Sequence, residues 1–297
     1  MAGLPSNAQL TELCLVAEDA FDVELADGST GNKLVPRPDV RLSPDWAVRA
    51  VITWQDAILR GGPLRLGSQR VFCGWLLQST ADPYTYVLVF RGTADMVEWL
   101  EDAEFLPMTP HPGGAGRVEA GFYGLYATLM GCVGPKGAAG GDIGVGPESP
   151  FQATVMGIMG PRAHLTVTGH SLGAAVATYA ALDLARAMPG QVSARLFASP
   201  HPGDLSFVNS VAIRVPDHES VAYELDGVPR VPFGLDYAHL PNYLELSPHT
   251  APVRIRLTLF CGHHALCYLA LQDPARADAI ALSIDKPYAA CILPLPH

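Results

Sequence analysis

The sequence predicts an α/β fold in which helices cover both faces of a central, mostly parallel sheet. Segments rich in β-branched and aromatic residues alternate along the chain with segments of helical period. The sharpest junction is the glycine-flanked serine of "GHSLG", which separates a strand pattern from an alanine-rich helix pattern. With 297 residues, 49% of them hydrophobic, the chain can bury a large core, so we expect a single domain over residues 1–297.

The first third of the chain is predicted to hold two helices and two strands. Leucines near the start recur with a helical period, which indicates a first helix rather than a signal peptide. Ser43 followed by Pro44 is a favourable capping pair, and it predicts a second helix through about Leu59. The segments "RVFCGWLLQS" and "YTYVLVF", separated by the turn-prone "TADPY", predict adjacent strands.

The middle of the chain is predicted to hold an exposed helix and an insertion. Met96, Trp99 and Leu100 fall on one helical face, while acidic residues occupy much of the rest of that helix. A second helix is predicted at "AGFYGLYATLM". Glycine is so frequent over about 131–150 that we expect a mobile surface insertion there.

The last part of the chain continues the alternation. "HLTVT", "ARLFAS" and "SVAYEL" predict strands, and "PHPGDLSFVNSV" predicts a loop that leads into a short helix. "YAHLPNYLEL" predicts an added hairpin or an edge strand.

Composition excludes some partners and leaves other questions open. The net charge is −10 and the basic residues are scattered, so we expect no binding to nucleic acid. Apolar runs stay shorter than the eighteen or so residues of a membrane span, so we expect no transmembrane segment. The six cysteines contain no CxxC pair, and they leave both the pairing and the compartment open.

Ser171 lies between Gly169 and Gly173 in "GHSLG". A serine hydroxyl is a poor nucleophile, so it must be presented on a sharp turn and served by a base. On such a turn, a β-carbon two residues before or after the serine would collide with the adjoining strand and helix. The pattern predicts a nucleophilic serine; the alternative is a serine that only occupies a tight structural turn.

Several further segments resemble those of one family, the fungal-type class 3 lipases of the α/β-hydrolase superfamily. They follow that family's order and spacing from about Val71 to Tyr268. These segments are "VLVFRGT", "DMVEWLEDAEF", "VEAGFYGLY", "LTVTGHSLGAAVA", "LFASPHPGD" and "ELDGVPRVP". The resemblance implies an α/β-hydrolase fold with a short helical lid at 94–105. Departures at Glu119, Ala174 and the glycine-rich insertion bear on substrate fit.

The resemblance also implies the acid of a catalytic triad, because this superfamily orders its triad serine, acid, histidine along the chain. Asp226 has the matching position, since it follows the predicted strand "SVAYEL" and precedes "GVP". Asp204 and Asp236 are the alternatives, because an aspartate at the end of a strand is also a common cap of a helix or turn.

Five histidines follow the predicted acid. The family's base precedes a last helix that carries an aromatic residue about one turn later, so "HALCYLAL" implies His264 as the base and Tyr268 as the aromatic. His263 is the alternative. Another is a zinc site formed by Cys261, His263, His264 and Cys267, although adjacent histidines and this cysteine spacing do not match a usual ligand pattern.

The resemblance implies two backbone donors for the oxyanion that forms during acyl transfer. Leu172 follows the nucleophile, and Thr93 lies in the loop after "VLVF", where its hydroxyl adds a donor. We expect Arg91 to anchor that loop rather than to act in catalysis.

Together these residues imply a lipase that hydrolyses acylglycerol esters through an acyl-enzyme, with neither a cofactor nor a metal. The helix at 94–105 would be a lid if its apolar face covers the serine in water and turns toward lipid. The alternatives are a feruloyl esterase or short-chain carboxylesterase on the same fold, and a non-catalytic binding protein.

Overall fold

A large mixed sheet forms the centre of the molecule. The computed structural model describes residues 4–26, 42–58, 65–92, 107–133, 147–281 and 290–294. The strands within these ranges are β1 (Trp46–Ile58), β2 (Arg65–Ser79), β3 (Thr85–Phe90), β4 (Met108–Pro110), β5 (Arg117–Glu119), β6 (Met130–Cys132), β7 (Glu148–Pro150), β8 (His164–His170), β9 (Val192–Phe197), β10 (His218–Tyr223), β11 (Tyr243–Leu246), β12 (Arg254–Ile255) and β13 (Ile292–Leu293). Nine of these described strands form the central sheet, in the order β11-β10-β9-β8-β3-β2-β1-β6-β7.

One half of this sheet is parallel and the other half is antiparallel. The strands β3, β8, β9, β10 and β11 run parallel to one another. From β3 through β2, β1 and β6 to β7, each neighbouring pair is antiparallel. The parallel half confirms the predicted arrangement, and β11 is the predicted edge strand. Since parallel strands end at one edge, the loops after β3, β8 and β10 meet there.

Helices cover both faces of the sheet. They are α1 (Asn7–Ala26), α2 (Ala120–Ala127), α3 (Phe151–Ile158), α4 (Leu172–Ala187), α5 (Leu205–Arg214), α6 (Leu259–His263), α7 (Ala265–Gln272) and α8 (Pro274–Ala281). Side chains alternate along β3, so that Leu88 and Phe90 enter a core with α2 to α5. Val87 and Val89 enter a second core with α1, α7 and α8. The prediction that helices lie on both faces is therefore confirmed.

The prediction of a helix from Ser43 to Leu59 is wrong, because this segment is mostly strand β1. Ser43 builds a turn, in which the N–H of Trp46 donates to its carbonyl and its hydroxyl contacts Asp45. The segment "WAVRAVITW" is rich in β-branched and aromatic residues. Antiparallel pairing with β2 on one side and β6 on the other outweighs the capping signal.

Two predicted features fall outside the described residues in whole or in part. The lid helix predicted at 94–105 lies wholly outside them. Of the glycine-rich insertion at about 131–150, the two ends are described as β6 and β7. These strands pair with each other, and β6 also pairs with β1, so both ends belong to the central sheet.

Two further observations concern the membrane and the cysteines. Along the described ranges, every helix is too short or too polar to cross a bilayer. Cys261 and Cys291 form a disulfide, which resolves a pairing that the sequence left open.

Candidate active site

Ser171 occupies the sharp turn between β8 and α4. Its backbone has φ 57° and ψ −127°, a combination that residues other than glycine rarely adopt. A Cβ on Gly169 would lie 2.3 Å from the Gly173 carbonyl oxygen, and a Cβ on Gly173 would lie 2.3 Å from that of Arg91. Both glycines are therefore required by close backbone approach, as the sequence predicts.

A continuous series of hydrogen bonds joins Ser171 to Asp226 through one histidine. Nε2 of His263 lies 2.8 Å from Oγ of Ser171, and Nδ1 of His263 lies 2.9 Å from Oδ2 of Asp226. All three side chains are buried. Because an ionised carboxylate only accepts, Nδ1–H of His263 donates to it, which leaves Nε2 to accept the serine proton.

His264, the predicted base, lies outside this series, and His263 takes its place in it. His264 lies between α6 and α7 and caps α7, where its Nδ1 accepts a hydrogen bond from the N–H of Leu266 at 3.1 Å. Burial lowers the pKa of His264 to about 4, against the opposing attraction of Glu18. His263 is the last residue of α6 and turns inward, whereas its neighbour caps the next helix.

Asp226 accepts three hydrogen bonds, and two of them were not predicted from the sequence. Its Oδ1 accepts from the N–H of Val228 at 2.9 Å, and its Oδ2 accepts from the Tyr268 hydroxyl at 2.7 Å as well as from His263. The Tyr268 hydroxyl also accepts from the N–H of Tyr223. These bonds fix the orientation of the carboxylate. The sequence marked Tyr268 only as an aromatic in the last helix.

The alternatives to Asp226 have other surroundings. Asp204 is the cap of α5, where its Oδ1 accepts from the N–H of Phe207 and its Oδ2 pairs with Arg117. Asp236 is exposed in the loop before β11.

The four residues considered as a zinc site do not converge. Cys261 is bonded to Cys291, and His263 contacts the serine and the aspartate. His264 caps α7, and Cys267 is buried in that helix. Among the described residues, His, Cys, Asp and Glu form no cluster of three or more that could hold a metal ion.

The two predicted oxyanion donors differ in what the structure describes of them. Leu172 is the first residue of α4, where a backbone N–H has no acceptor within the helix and meets the positive end of its dipole. Thr93 lies outside the described residues, which end in this loop at Gly92. Arg91 anchors the start of the loop, since its guanidinium donates to the carbonyl groups of Phe72 and Gly92.

A part-buried ion pair that the sequence did not indicate supports both the loop and the histidine. Nδ1–H of His170 donates to Oε1 of Glu18 at 2.8 Å, and Nε2–H donates to the His263 carbonyl at 2.8 Å. Glu18 also accepts from the N–H of Gly92 at 3.1 Å. Glu18 belongs to α1, 152 positions before His170, so no local pattern could reveal this contact.

Each partner of this pair shifts the pKa of the other. Burial alone would lower the pKa of His170, but the carboxylate of Glu18 raises it above its ordinary value of 6.5. Burial alone would raise the pKa of Glu18, but the charge of His170 and its hydrogen bond lower it below 4.5. The geometry therefore favours a charged pair beneath the loop.

Exposed apolar side chains lie close in sequence to the aspartate and the histidine. Leu225 immediately precedes Asp226, and Leu257, Leu259 and Phe260 lie just before His263. The two segments meet in space, since a Cβ on Gly227 would touch Leu259 and a Cβ on Gly262 would approach the Leu225 carbonyl oxygen. Leu225, Leu257, Leu259 and Phe260 are together called the apolar rim.

The chain is similar to known lipases in sequence and in fold. A model of the family described as Lipase (class 3) matches residues 87–235, about half of the chain. The chain is 30% identical over 179 residues to a lipase of Rhizomucor miehei, covering 57% of this chain and 44% of that protein. It is 30% identical over 171 residues to secreted mono- and diacylglycerol lipase A of Penicillium cyclopium, covering 56% and 50%.

The chain spans about half the length of these curated relatives. Among solved structures, lipase II of Rhizopus niveus matches with a TM-score of 0.53 at 22% identity, covering 82% of this chain and 81% of that chain. At this level of identity, the match concerns the fold alone. It confirms the predicted α/β-hydrolase fold.

Proposed function

Since the chain belongs to the class 3 lipase family, we propose that it is a lipase that hydrolyses carboxylic ester bonds of acylglycerols, with Ser171, His263 and Asp226 as its catalytic triad. The observation that carries the proposal is the hydrogen-bonded series from the serine through one imidazole to a buried carboxylate. A serine that only occupied a structural turn would need neither the imidazole nor the carboxylate.

The mechanism proceeds in two halves. Nε2 of His263 takes the proton of Ser171 as Oγ attacks the ester carbonyl carbon, and the same nitrogen then gives this proton to the departing alcohol. Water, deprotonated by His263, hydrolyses the acyl-enzyme. Asp226 holds the imidazole in the productive tautomer and stabilises its cationic form. The N–H groups of Leu172 and Thr93 stabilise the oxyanion, each with about 3 to 4 kcal/mol.

The apolar rim supports a lipid substrate rather than a small polar ester. Exposed leucine and phenylalanine side chains close to Asp226 and His263 can contact acyl chains or the surface of a lipid aggregate. A feruloyl esterase or a short-chain carboxylesterase on the same fold would have less use for this exposed apolar surface.

A reactive fluorophosphonate separates an enzyme from a binding protein. We expect it to label Ser171 in the wild-type protein, and we expect labelling to disappear in the Ser171→Ala variant. The absence of labelling in a folded wild-type protein would support the non-catalytic alternative.

A panel of esters identifies the substrate class. We expect higher kcat/KM for long-chain glyceryl esters than for ethyl ferulate or p-nitrophenyl acetate. A rate that rises as the glyceryl ester passes its solubility limit would support a moving lid at 94–105, and a flat rate would contradict it. A preference for ferulate or acetate would select the corresponding esterase.

A further inference from the structure

The disulfide between Cys261 and Cys291 lies two residues from the imidazole of the proposed triad. Cys261 belongs to the five-residue helix α6, which ends at His263. Cys291 belongs to the C-terminal segment, and both cysteines are buried. The bond therefore ties the helix that carries His263 to a segment 30 positions further along the chain.

The C-terminal segment is attached both before α6 and within it. Its strand β13 pairs with β12, which precedes α6, and the N–H of Arg256 donates to the Cys291 carbonyl at 2.9 Å. The disulfide adds an attachment within α6 itself. Together the two contacts hold the chain from Arg254 to His263 against one short segment.

The helix α6 is short. A helix of five residues has little stability of its own. Thr258 caps it, since its hydroxyl accepts from the N–H of Cys261 at 3.1 Å. Within the helix, Leu259 and Phe260 are exposed in part, whereas Cys261, Gly262 and His263 are buried.

We propose that Cys261–Cys291 is a positioning disulfide, which keeps Nε2 of His263 at hydrogen-bond distance from Oγ of Ser171. This inference rests on the proposed function. A dithiol transfers two electrons and two protons to the bond, which yields two thiols while the dithiol becomes its cyclic disulfide. Without the bond, α6 loses its covalent attachment to the C-terminal segment and keeps only its hydrogen bonds and packing contacts. A displacement of the imidazole by about 1 Å is enough to lower the rate of proton transfer about 100-fold.

The test compares the wild-type protein with Cys291→Ser and Cys132→Ala, each before and after treatment with dithiothreitol. Substitution of Cys291 removes the bond and leaves Ser171, His263 and Asp226 unchanged. Cys132 is a buried cysteine of β6, on the antiparallel half of the sheet, and serves as the control. The measurements are kcat and KM for a soluble p-nitrophenyl ester, the melting temperature, and the number of thiols in the denatured protein.

We expect kcat to fall about 10- to 100-fold in Cys291→Ser and in reduced wild-type protein, with KM changed by less than about twofold. Dithiothreitol should have no further effect on Cys291→Ser, and Cys132→Ala should behave like the wild type. Reoxidation of the reduced wild type should restore kcat. If Cys291→Ser does not fold, reduction and reoxidation of the folded wild type give the same comparison.

Several outcomes would overturn the inference. One is an unchanged kcat in folded, reduced protein; another is a rise in KM that matches the fall in kcat; a third is a purified protein in which all six cysteines already react as thiols. A failure of the proposed function is distinguishable, because oxidised wild-type protein would then neither hydrolyse esters nor react with the fluorophosphonate.

Discussion

The ring of His263 lies between a hydroxyl and a carboxylate, whereas the ring of the next residue caps a helix. We therefore expect His263→Ala to lose about 10⁴-fold or more in kcat, because it removes the imidazole that is hydrogen-bonded to Ser171. His264→Ala should keep kcat within about tenfold and lose about 1 kcal/mol of stability with its cap. Hydrolysis of a soluble ester, together with thermal unfolding of both variants, checks the pair. An active His263→Ala, or a folded but inactive His264→Ala, would contradict it.

Sequence spacing could identify the segment that holds the proposed base, but it could not choose between His263 and His264. Both histidines precede α7, and a motif whose spacing varies by one residue fits either of them. What separates them is the boundary between α6 and α7, which turns one ring inward and uses the other as a cap. In contrast, Ser171 and Asp226 each follow a strand, so the end of the strand fixed their location more narrowly.

At the scale of elements, the turn between β8 and α4 depends on backbone contact. A Cβ on Gly173 would lie 2.3 Å from the Arg91 carbonyl oxygen, which no side-chain movement can relieve. We expect Gly173→Ala to lower the free energy of unfolding by about 3 kcal/mol or more. Gly157→Ala is the matched control, since a Cβ at this position of α3 would meet open space. This variant should raise the free energy of unfolding by about 0.5 to 1 kcal/mol. Equal free energies of unfolding for the two variants in a urea titration would refute the requirement for glycine at position 173.

The contact of α1 with the turn should make stability depend on pH. Because the folded pKa of Glu18 lies below 4.5, its contribution is present above that pH and is lost as pH falls through the lowered value. Because the folded pKa of His170 lies above 6.5, its contribution is complete below that pH and is lost as pH rises through the raised value. The melting temperature of wild type should therefore exceed that of Glu18→Gln most clearly between about pH 4.5 and 6.5.

The control for this comparison is Glu245→Gln, which alters an exposed carboxylate on the edge strand β11. Its melting temperature should run parallel to that of the wild type across the same range. A constant difference between wild type and Glu18→Gln at every pH would show that the ion pair has no part in stability.

Which elements could be predicted depended on where their signals lie. The β8 strand, the serine turn and α4 carry strong local patterns, and all three were predicted correctly. The β1 strand was missed because the capping signal at Ser43 is local in sequence, whereas the pairing of β1 with β2 and β6 joins segments that are distant in sequence. For the same reason, the contact of Glu18 with His170 could not be found without the fold.

At the scale of the whole molecule, the apolar rim should matter only for aggregated substrates. Leu257 is 80% exposed on the rim, and Ile213 is 77% exposed near the end of α5, toward the opposite edge of the sheet. We expect Leu257→Asp to lower the rate on a triacylglycerol emulsion about tenfold or more, because a desolvated charge opposes insertion into lipid.

The same variant should leave hydrolysis of a soluble short-chain ester nearly unchanged. Ile213→Asp adds the same charge to a chain whose net charge is already −10, so it controls for repulsion by the whole molecule. Equal losses in the two variants on the emulsion would remove the rim from the lipid contact.

Ser171, the proposed nucleophile, is only 1% exposed in this conformation. A reagent can therefore reach its oxygen only after the surrounding structure has moved, and the two events are in series. At low reagent concentration the speed of inactivation grows in proportion to dose, whereas at high concentration it reaches a plateau equal to the frequency of opening. The height of that plateau reports how often the protein exposes the Ser171 oxygen in the absence of a lipid surface.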